Sequence, residues 1–217
     1  MKKVNKNNNG AEKKMQAGHF RVTIFGSARI QKDDPRYHLV YTLAKMIAKE
    51  DLDIVTGGGP GLMDAASEGH RDGRKWGTAE HIGLTIQLPK EQRDSVHLDI
   101  KRHFSKFSER LDTFIQLSNV VVVAPGGIGT ILELFYTWQL IQVGHTYEKP
   151  IILLGKHWPG LITWMKKEIL GKKMVDKGDF RYLFTVNTAT EAMDIINETH
   201  KRFLKGEYVT QDFKEMQ

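Results

Sequence analysis

The chain has 217 residues and no cysteine, which excludes disulfides, thiolate metal sites and a thiol nucleophile. Hydrophobic residues make up 40% and charged residues 27%, a composition typical of a folded globular domain and not of a disordered chain. No apolar run approaches the ~20 residues that a membrane-spanning helix needs, and the N-terminus lacks the apolar core of a signal peptide. We therefore expect a cytoplasmic protein that does not engage a membrane.

The net charge of +6 is concentrated at the N-terminus. Residues 1–18 hold five lysines and one glutamate, so they account for +4 and leave +2 for the rest of the chain. A short basic tail is typically solvated, so this charge does not indicate nucleic-acid binding. The expected organisation is a disordered basic tail over 1–18, one domain over 19–205 and a C-terminal tail over 206–217.

From Phe20 onward, short β-rich runs alternate with helical patterns. The run from Val120 to Val123 is apolar at consecutive positions, as expected of a strand that is covered on both faces. Six strands are predicted, at 20–25, 52–56, 81–88, 119–124, 150–154 and 182–186.

Apolar stripes of helical period lie between these runs. One stripe comprises Tyr37, Val40, Tyr41, Ala44, Ile47 and Ala48, and another comprises Ile131, Leu134, Phe135, Trp138 and Ile141. The alternation of strands and helices predicts a single-domain, Rossmann-like α/β fold, with a doubly wound parallel sheet flanked by helices.

Ligands of such sheets bind beyond the carboxyl ends of the strands, so the turns that follow strands carry the functional information. Three turns are rich in small residues: GSA at 26–28, GGGPG at 57–61 and PGGIGT at 125–130. Glycines allow close approach of a ligand, and a helix start offers N–H groups and partial positive charge, which together favour phosphate. Alternatively, the glycines serve only to form tight turns between strand and helix. Neither longer loop is a Walker motif or a dinucleotide fingerprint.

Two charged residues stand out near these loops. Glu133 lies one turn inside the helix that follows 125–130, within reach of a bound sugar, although its spacing from Thr130 also fits a capping box. Arg110 lies beside a predicted inward stripe that includes Phe107 and Phe114. A guanidinium in that position needs an anionic partner, unless it extends to solvent.

The run PGGIGTILE at 125–133 resembles the PGGxGTxxE signature of the LOG-type family. That family contains cytokinin riboside 5′-monophosphate phosphoribohydrolases and bacterial relatives long labelled lysine decarboxylase-like. GSA at 26–28, TGGGPGLMDAASEG at 56–69 and an arginine one helix before the signature strand occur in the family's order. The resemblance extends over about residues 20–198.

This resemblance implies hydrolysis of the N-glycosidic bond of a nucleoside 5′-monophosphate, AMP-like or a cytokinin riboside monophosphate, to free base and ribose 5-phosphate. It implies a homodimer, with no cofactor and no metal, and Glu133 and Arg110 as the catalytic pair. The histidines, for example His70 and His81, show no metal-ligand spacing. The substrate-binding residues that the resemblance implies are Gly26, Ser27, Gly58, Gly59, Gly61, Gly126, Gly127, Gly129 and Thr130.

The chain departs from the plant-type pattern around the arginine. Plant-type members carry M-H-x-R-K, whereas this chain has Ser108 and Leu111 in place of the histidine and the lysine. The departure indicates a different substrate within the same class. Two other functions remain open: a carrier that binds a nucleotide or pterin-type cofactor without hydrolysis, and pyridoxal-dependent decarboxylation, for which the sequence offers no recognisable Schiff-base lysine.

Overall fold

The structure is a computed structural model that describes residues 19–74, 77–86, 95 and 97–207. The tail predicted over 1–18 lies outside the described residues, as does most of the tail predicted over 206–217. The last two positions of the strand predicted at 81–88 also lie outside them.

Seven strands form one sheet in the order β4-β3-β2-β1-β5-β6-β7, and every neighbouring pair is parallel. The prediction of a Rossmann-like parallel α/β fold is confirmed. The strands are β1 (Arg21–Phe25), β2 (Asp53–Thr56), β3 (His81–Ile86), β4 (Ile100–Phe104), β5 (Val120–Val123), β6 (Ile151–Leu154) and β7 (Leu183–Val186).

Helices cover both faces of the sheet and enclose two apolar cores, one on each side. The α-helices are α1 (Pro35–Lys49), α2 (Leu62–Gly73), α3 (Phe107–Leu117), α4 (Ile128–Gln142), α5 (Trp158–Met165) and α6 (Ala189–Leu204). A π-helix (Lys166–Leu170) and a 3₁₀-helix (Lys177–Tyr182) follow α5. Among the described residues, no helix is both long enough and apolar enough to cross a membrane.

The buried strand β5 shows why consecutive positions are apolar. Val120 and Val122 pack into the core beneath α1, α2 and α6, whereas Val121 and Val123 pack into the core beneath α3, α4 and α5. Side chains alternate between the two faces of a strand, so a strand between two helical layers needs an apolar residue at every position.

The sequence pattern does not reveal β4, so it predicts six of the seven strands found among the described residues. Among the residues that the structure describes, β4 lies at the edge of the sheet and pairs with β3 alone. Only Ile100 and Phe104 are buried, while Lys101 and His103 are exposed. An edge strand with a polar centre lacks the continuous apolar run by which the other strands were recognised.

The predicted helical stripes are correct at their centres and less so at their margins. Most stripe residues of α1 are buried, but Tyr41 is only half-buried, and the stripe also includes buried Leu43. In α4, Ile131 and Phe135 are half-buried, whereas the other three predicted residues are buried.

Strand β1 lies between β2 and β5, which is the point where the strand order reverses. Loops that leave β1 and β5 therefore diverge to opposite faces of the sheet and open a crevice between them. The three glycine-containing loops predicted from the sequence follow β1, β2 and β5, so they meet at the same edge of the sheet.

The contact between α1 and α2 gives a stability prediction. A Cβ atom at Gly69 of α2 would lie 2.1 Å from the carbonyl oxygen of Tyr41, which is backbone and cannot move aside easily. Gly→Ala in a helix normally stabilises by up to about 1 kcal/mol. We expect Gly69→Ala instead to destabilise by about 1–3 kcal/mol in urea unfolding, because the helices would have to separate.

Gly160 of α5 is the matched control, since nothing lies within 4 Å of a Cβ added there. Gly160→Ala should leave the free energy of unfolding unchanged or slightly raised. Equal stabilisation by both substitutions would contradict the close packing of α1 on α2.

Candidate active site

A cavity of about 500 Å³ opens beyond the carboxyl ends of β1, β2 and β5. Its wall is built by the loops after these three strands, by the end of β3, and by the first turns of α3 and α4. The predicted residues that line it are Gly26, Ser27, Gly58, Gly59, Arg110, Gly127, Gly129, Thr130 and Glu133.

The backbone of Ser27 ties the three loops together. Its N–H donates to the carbonyl oxygen of Pro125 at 3.1 Å, and its own carbonyl accepts from the N–H of Leu62 at 2.9 Å. Pro125 begins the loop after β5, and Leu62 begins α2 after the loop that follows β2. The loops are thus fixed relative to one another by main-chain bonds, which do not depend on side-chain rotamers.

The loop after β5 leads into α4 without a side-chain cap. Gly127 is the N-cap residue, and the first helical hydrogen bond runs from the N–H of Ile131 to the Gly127 carbonyl at 3.0 Å. The N–H groups of the preceding turn have no acceptor within the helix, and Gly127, Gly129 and Thr130 of that turn line the cavity. An uncapped helix start at a cavity wall is suited to an anion.

The helix start also rules out the capping-box alternative. Because Gly127 is the N-cap, Thr130 is already the third residue of α4 and Glu133 lies in its second turn. The carboxylate of Glu133 is directed instead toward Arg110, with 3.8 Å between Oε1 and Nη1.

Two of the predicted glycines do not line the cavity. A Cβ at Gly126 would lie 2.1 Å from Oγ1 of Thr130, and a Cβ at Gly61 would lie 2.4 Å from the carbonyl oxygen of Ser27. Both glycines therefore permit the loops to pack closely against their neighbours, and their role in substrate binding stays a prediction.

The loop after β2 forms part of the cavity wall, but two of its backbone N–H groups are already bonded within the protein. The N–H of Gly58 donates to Oγ1 of Thr56 at 3.1 Å, and the N–H of Gly59 lies 3.4 Å from the sulfur of Met63. These two amides already have partners, so the first turn of α4 is the stronger anion-binding element of the cavity.

Contacts on the inner side of α3 hold Arg110 in place. Its Nε donates to the carbonyl oxygen of Leu84 at 2.7 Å, its guanidinium lies 5.1 Å from the ring centre of Phe114, and it pairs with Glu133. The side chains of Arg110 and Glu133 are only 11% and 14% exposed. The guanidinium therefore faces an anionic partner and not open solvent, as predicted.

Burial raises the pKa of Glu133 to about 7, while the positive charge of Arg110 acts in the opposite direction. A carboxyl group with this pKa is partly ionised near neutral pH. Carboxyl groups with raised pKa values in clefts are frequent in active sites, because desolvation strengthens their interaction with charge that develops on a substrate.

The mouth of the cavity is apolar. Phe107 is 49% exposed, Ile128 84% and Leu132 47%, and all three line the cavity. We call these three residues the apolar rim. The prediction that Phe107 packs inward is wrong, because it is the first residue of α3 and stands at the cavity mouth rather than above the sheet.

Sequence reasoning missed several cavity residues, among them Arg29, Met63 and Thr85. Arg29 follows the GSA turn, and its N–H donates to Oγ of Ser27 at 3.1 Å. Its place directly after the turn was the available signal, since a cation beside a phosphate loop fits an anionic ligand. Met63 and Thr85 carry no such signal in the sequence.

Among the described residues, no group of three histidine, aspartate or glutamate side chains is arranged to hold a metal ion. His70 and His81 are buried, and burial lowers their pKa values to about 4 and about 3. Both are therefore neutral side chains of the interior.

A Schiff-base lysine is not found at the described wall of the cavity, since none of its lining residues is a lysine. Burial lowers the pKa of Lys149 to about 8, but its Nζ donates to the carbonyl oxygens of Ile115 and Ser118 at 2.7 and 2.8 Å. Lys149 lies just before β6, at the opposite edge of the sheet, where it caps the carboxyl end of α3.

Comparisons with known proteins give several relatives at low sequence identity. A pyrimidine/purine nucleotide 5′-monophosphate nucleosidase of Escherichia coli strain K12 is 23% identical over 145 residues, which are 62% of this chain and 30% of that protein. The chain thus spans about a third of the length of that relative. A probable cytokinin riboside 5′-monophosphate phosphoribohydrolase of Oryza sativa subsp. japonica is 28% identical over 172 residues, with 76% and 78% coverage.

Among solved structures, the molybdenum cofactor carrier protein of Chlamydomonas reinhardtii superposes with a TM-score of 0.64 at 19% identity. The match covers 85% of this chain and 99% of that one, and it shows a shared fold. A family model described as "possible lysine decarboxylase" matches residues 61–196, well over half of the chain. The chain therefore belongs to this family, the LOG family.

Proposed function

We propose that this protein is a hydrolase that cleaves the N-glycosidic bond of nucleoside 5′-monophosphates. One observation carries the proposal: the largely buried pair of Glu133 and Arg110 shares a cavity wall with the uncapped first turn of α4. A phosphate site and a sugar-facing carboxylate in one cavity match a ribose phosphate. Membership of the LOG family supports the same reaction class.

The phosphate group would lie against the first turn of α4, in contact with backbone N–H groups near Gly127 and Gly129. Arg29 and the hydroxyl of Thr130 line the same cavity and would supply further donors. Binding energy from this anchor positions the ribose without taking part in bond cleavage.

Cleavage of the ribose–base bond builds positive charge on the sugar ring, and a water molecule supplies the hydroxyl group that C1′ gains. The departing base leaves with the bonding electron pair and takes up a proton. Ionised Glu133 would stabilise the cationic ring through space, or orient the attacking water, as carboxylates do in glycoside hydrolases. Its low exposure strengthens that attraction because little water is present to screen it.

Arg110 would act by fixing the carboxylate. Its hydrogen bond to Leu84 holds the guanidinium on the inner wall, and its ion pair with Glu133 would keep the carboxylate in one orientation toward the substrate. The base would lie against apolar side chains of the cavity wall, such as Met63, Ile86 and Phe107. A largely apolar pocket of this kind favours a planar ring by contact area.

The cytoplasm is the proposed location, and a homodimer is the proposed assembly. The apolar rim, formed by Phe107, Ile128 and Leu132, is exposed in one chain and would be covered by a second copy. Because these residues also line the cavity mouth, the second copy would help to close the site.

The first prediction concerns the catalytic pair. Glu133→Gln and Arg110→Ala should each lower base release from AMP about 100-fold or more, because stabilisation of the cationic sugar is lost or misdirected. Base release is measured by liquid chromatography. Glu198→Gln, a matched change on α6, should retain wild-type rates.

Wild-type rates in both the Glu133 and Arg110 variants would remove the pair from the mechanism. Tight binding of AMP by the wild-type chain without any base release would indicate the carrier function instead.

The second prediction concerns pH and stability. The pKa of Glu133 in the folded state, about 7, exceeds the ordinary value of 4.5, so the fold holds this proton more tightly than the unfolded chain does. The contribution of Glu133 to the stability of the wild type therefore falls as pH rises between these two values. Relative to the wild type, Glu133→Gln should gain about 2–3 kcal/mol between pH 5 and pH 8 in urea unfolding. Stability curves that remain parallel over this range would contradict the raised pKa.

The third prediction concerns assembly. Sedimentation velocity should give a particle of twice the 24.8 kDa chain mass. Leu132→Asp should shift it toward a single chain, because a charge in the apolar rim would be buried by the partner copy. A wild-type particle of 24.8 kDa at micromolar concentration would contradict the homodimer.

A further inference from the structure

A series of buried hydrogen bonds, which we call the relay, runs from the glycine loop after β2 into the interior of the sheet. The N–H of Gly58 donates to Oγ1 of Thr56 at 3.1 Å, and Oγ1 of Thr56 lies 2.8 Å from Nε2 of His81. On the other side of the ring, Nδ1 of His81 lies 3.2 Å from both Oγ of Ser67 and the carbonyl oxygen of His97. Thr56, Ser67 and His81 are all buried.

One assignment of hydrogens gives every group in the relay a partner. The Thr56 hydroxyl accepts from Gly58 and donates to Nε2 of His81, so the ring carries its proton on Nδ1. That N–H then donates to the carbonyl oxygen of His97, to which the Ser67 hydroxyl also donates at 3.2 Å. The assignment requires a neutral imidazole, and deep burial favours that state.

Gly58, the loop residue that the relay holds, has an unusual backbone conformation. Gly58 has a φ of +66°, and its carbonyl oxygen is fixed separately by the N–H of Ser95 at 2.7 Å. Both polar groups of its peptide backbone are therefore bonded while its surface lines the cavity. Three successive glycines have many accessible backbone conformations, so specific bonds are needed to select one of them.

We propose that Thr56 and His81 are positioning residues for substrate binding, which act through Gly58 by holding the β2 loop in the shape that lines the cavity. This inference rests on the proposed function, since the substrate whose binding is measured is a nucleoside monophosphate. Neither residue is among the described residues that line the cavity. Loss of the relay would lower the fraction of molecules whose β2 loop has the shape that binds substrate. The apparent affinity for the nucleoside monophosphate would fall by the same factor.

The experiment compares Thr56→Val with Thr56→Ser and measures KM and kcat for AMP. Valine keeps the shape of threonine but removes the hydroxyl, so KM should rise about tenfold while kcat stays within about twofold. Serine retains the hydroxyl and should restore most of the affinity. Thr199→Val is the matched control, because it removes a buried hydroxyl that bonds within α6, far from the cavity.

A double variant tests whether the two residues act as one unit. If His81 acts on Gly58 through Thr56, the rise in KM for Thr56→Val and His81→Leu together should be close to that of the larger single change. Multiplied single effects would indicate separate roles and overturn the relay. Hydrogen exchange gives a readout that needs no substrate: the Gly58 amide should exchange faster in Thr56→Val and not in Thr199→Val.

The outcomes separate this inference from the proposed function. Wild-type cleavage of AMP with an unchanged KM in Thr56→Val would overturn the positioning role alone. A wild-type chain that neither binds nor cleaves AMP would overturn the proposed function, and the positioning role with it. A lower thermal stability of Thr56→Val with normal KM and normal Gly58 exchange would assign the hydroxyl to folding only.

Discussion

The site depends on two main-chain hydrogen bonds at a single residue. Through its N–H and its carbonyl, Ser27 joins the loop after β1 to the loop after β5 and to the start of α2. Parallel strand order brings the three loops to one edge, but strand order alone leaves their spacing free. The Ser27 bonds fix that spacing. As a result, the uncapped start of α4 and the β2 loop line the same cavity.

A second constraint is the burial of a carboxyl group. Glu133 is desolvated on the cavity wall, and the cationic Arg110 at 3.8 Å offsets only part of the unfavourable burial. A fold selected for stability alone would favour a neutral side chain in that position. A group whose burial opposes stability is consistent with a functional role, as active sites often hold destabilising groups in place by the packing around them. Here Phe114 and Leu84 hold Arg110, and Arg110 faces Glu133.

Sequence reasoning reached the sheet and most of the cavity wall for physical reasons that can be stated. Strands covered on both faces have apolar runs, and loops that must pass close to a ligand or a neighbour carry glycine, so both leave clear patterns. The edge strand β4 escaped because its central residues are polar, and Phe107 was misplaced because periodicity does not show where a helix meets a cavity mouth. Gly61 and Gly126 share the motif of their neighbours but pack against protein, a difference that only the three-dimensional contacts reveal.

The central claim is that α4 holds a phosphate while Glu133 faces the attached ribose. A crystal structure with ribose 5-phosphate tests it most directly, because this product would bind the cavity without being cleaved. The account predicts phosphate oxygens within about 3.2 Å of backbone N–H groups in the first turn of α4, and ribose hydroxyls or C1′ next to the Glu133 carboxylate. A ribose 5-phosphate bound outside the cavity, or bound with its sugar directed away from Glu133, would contradict the account.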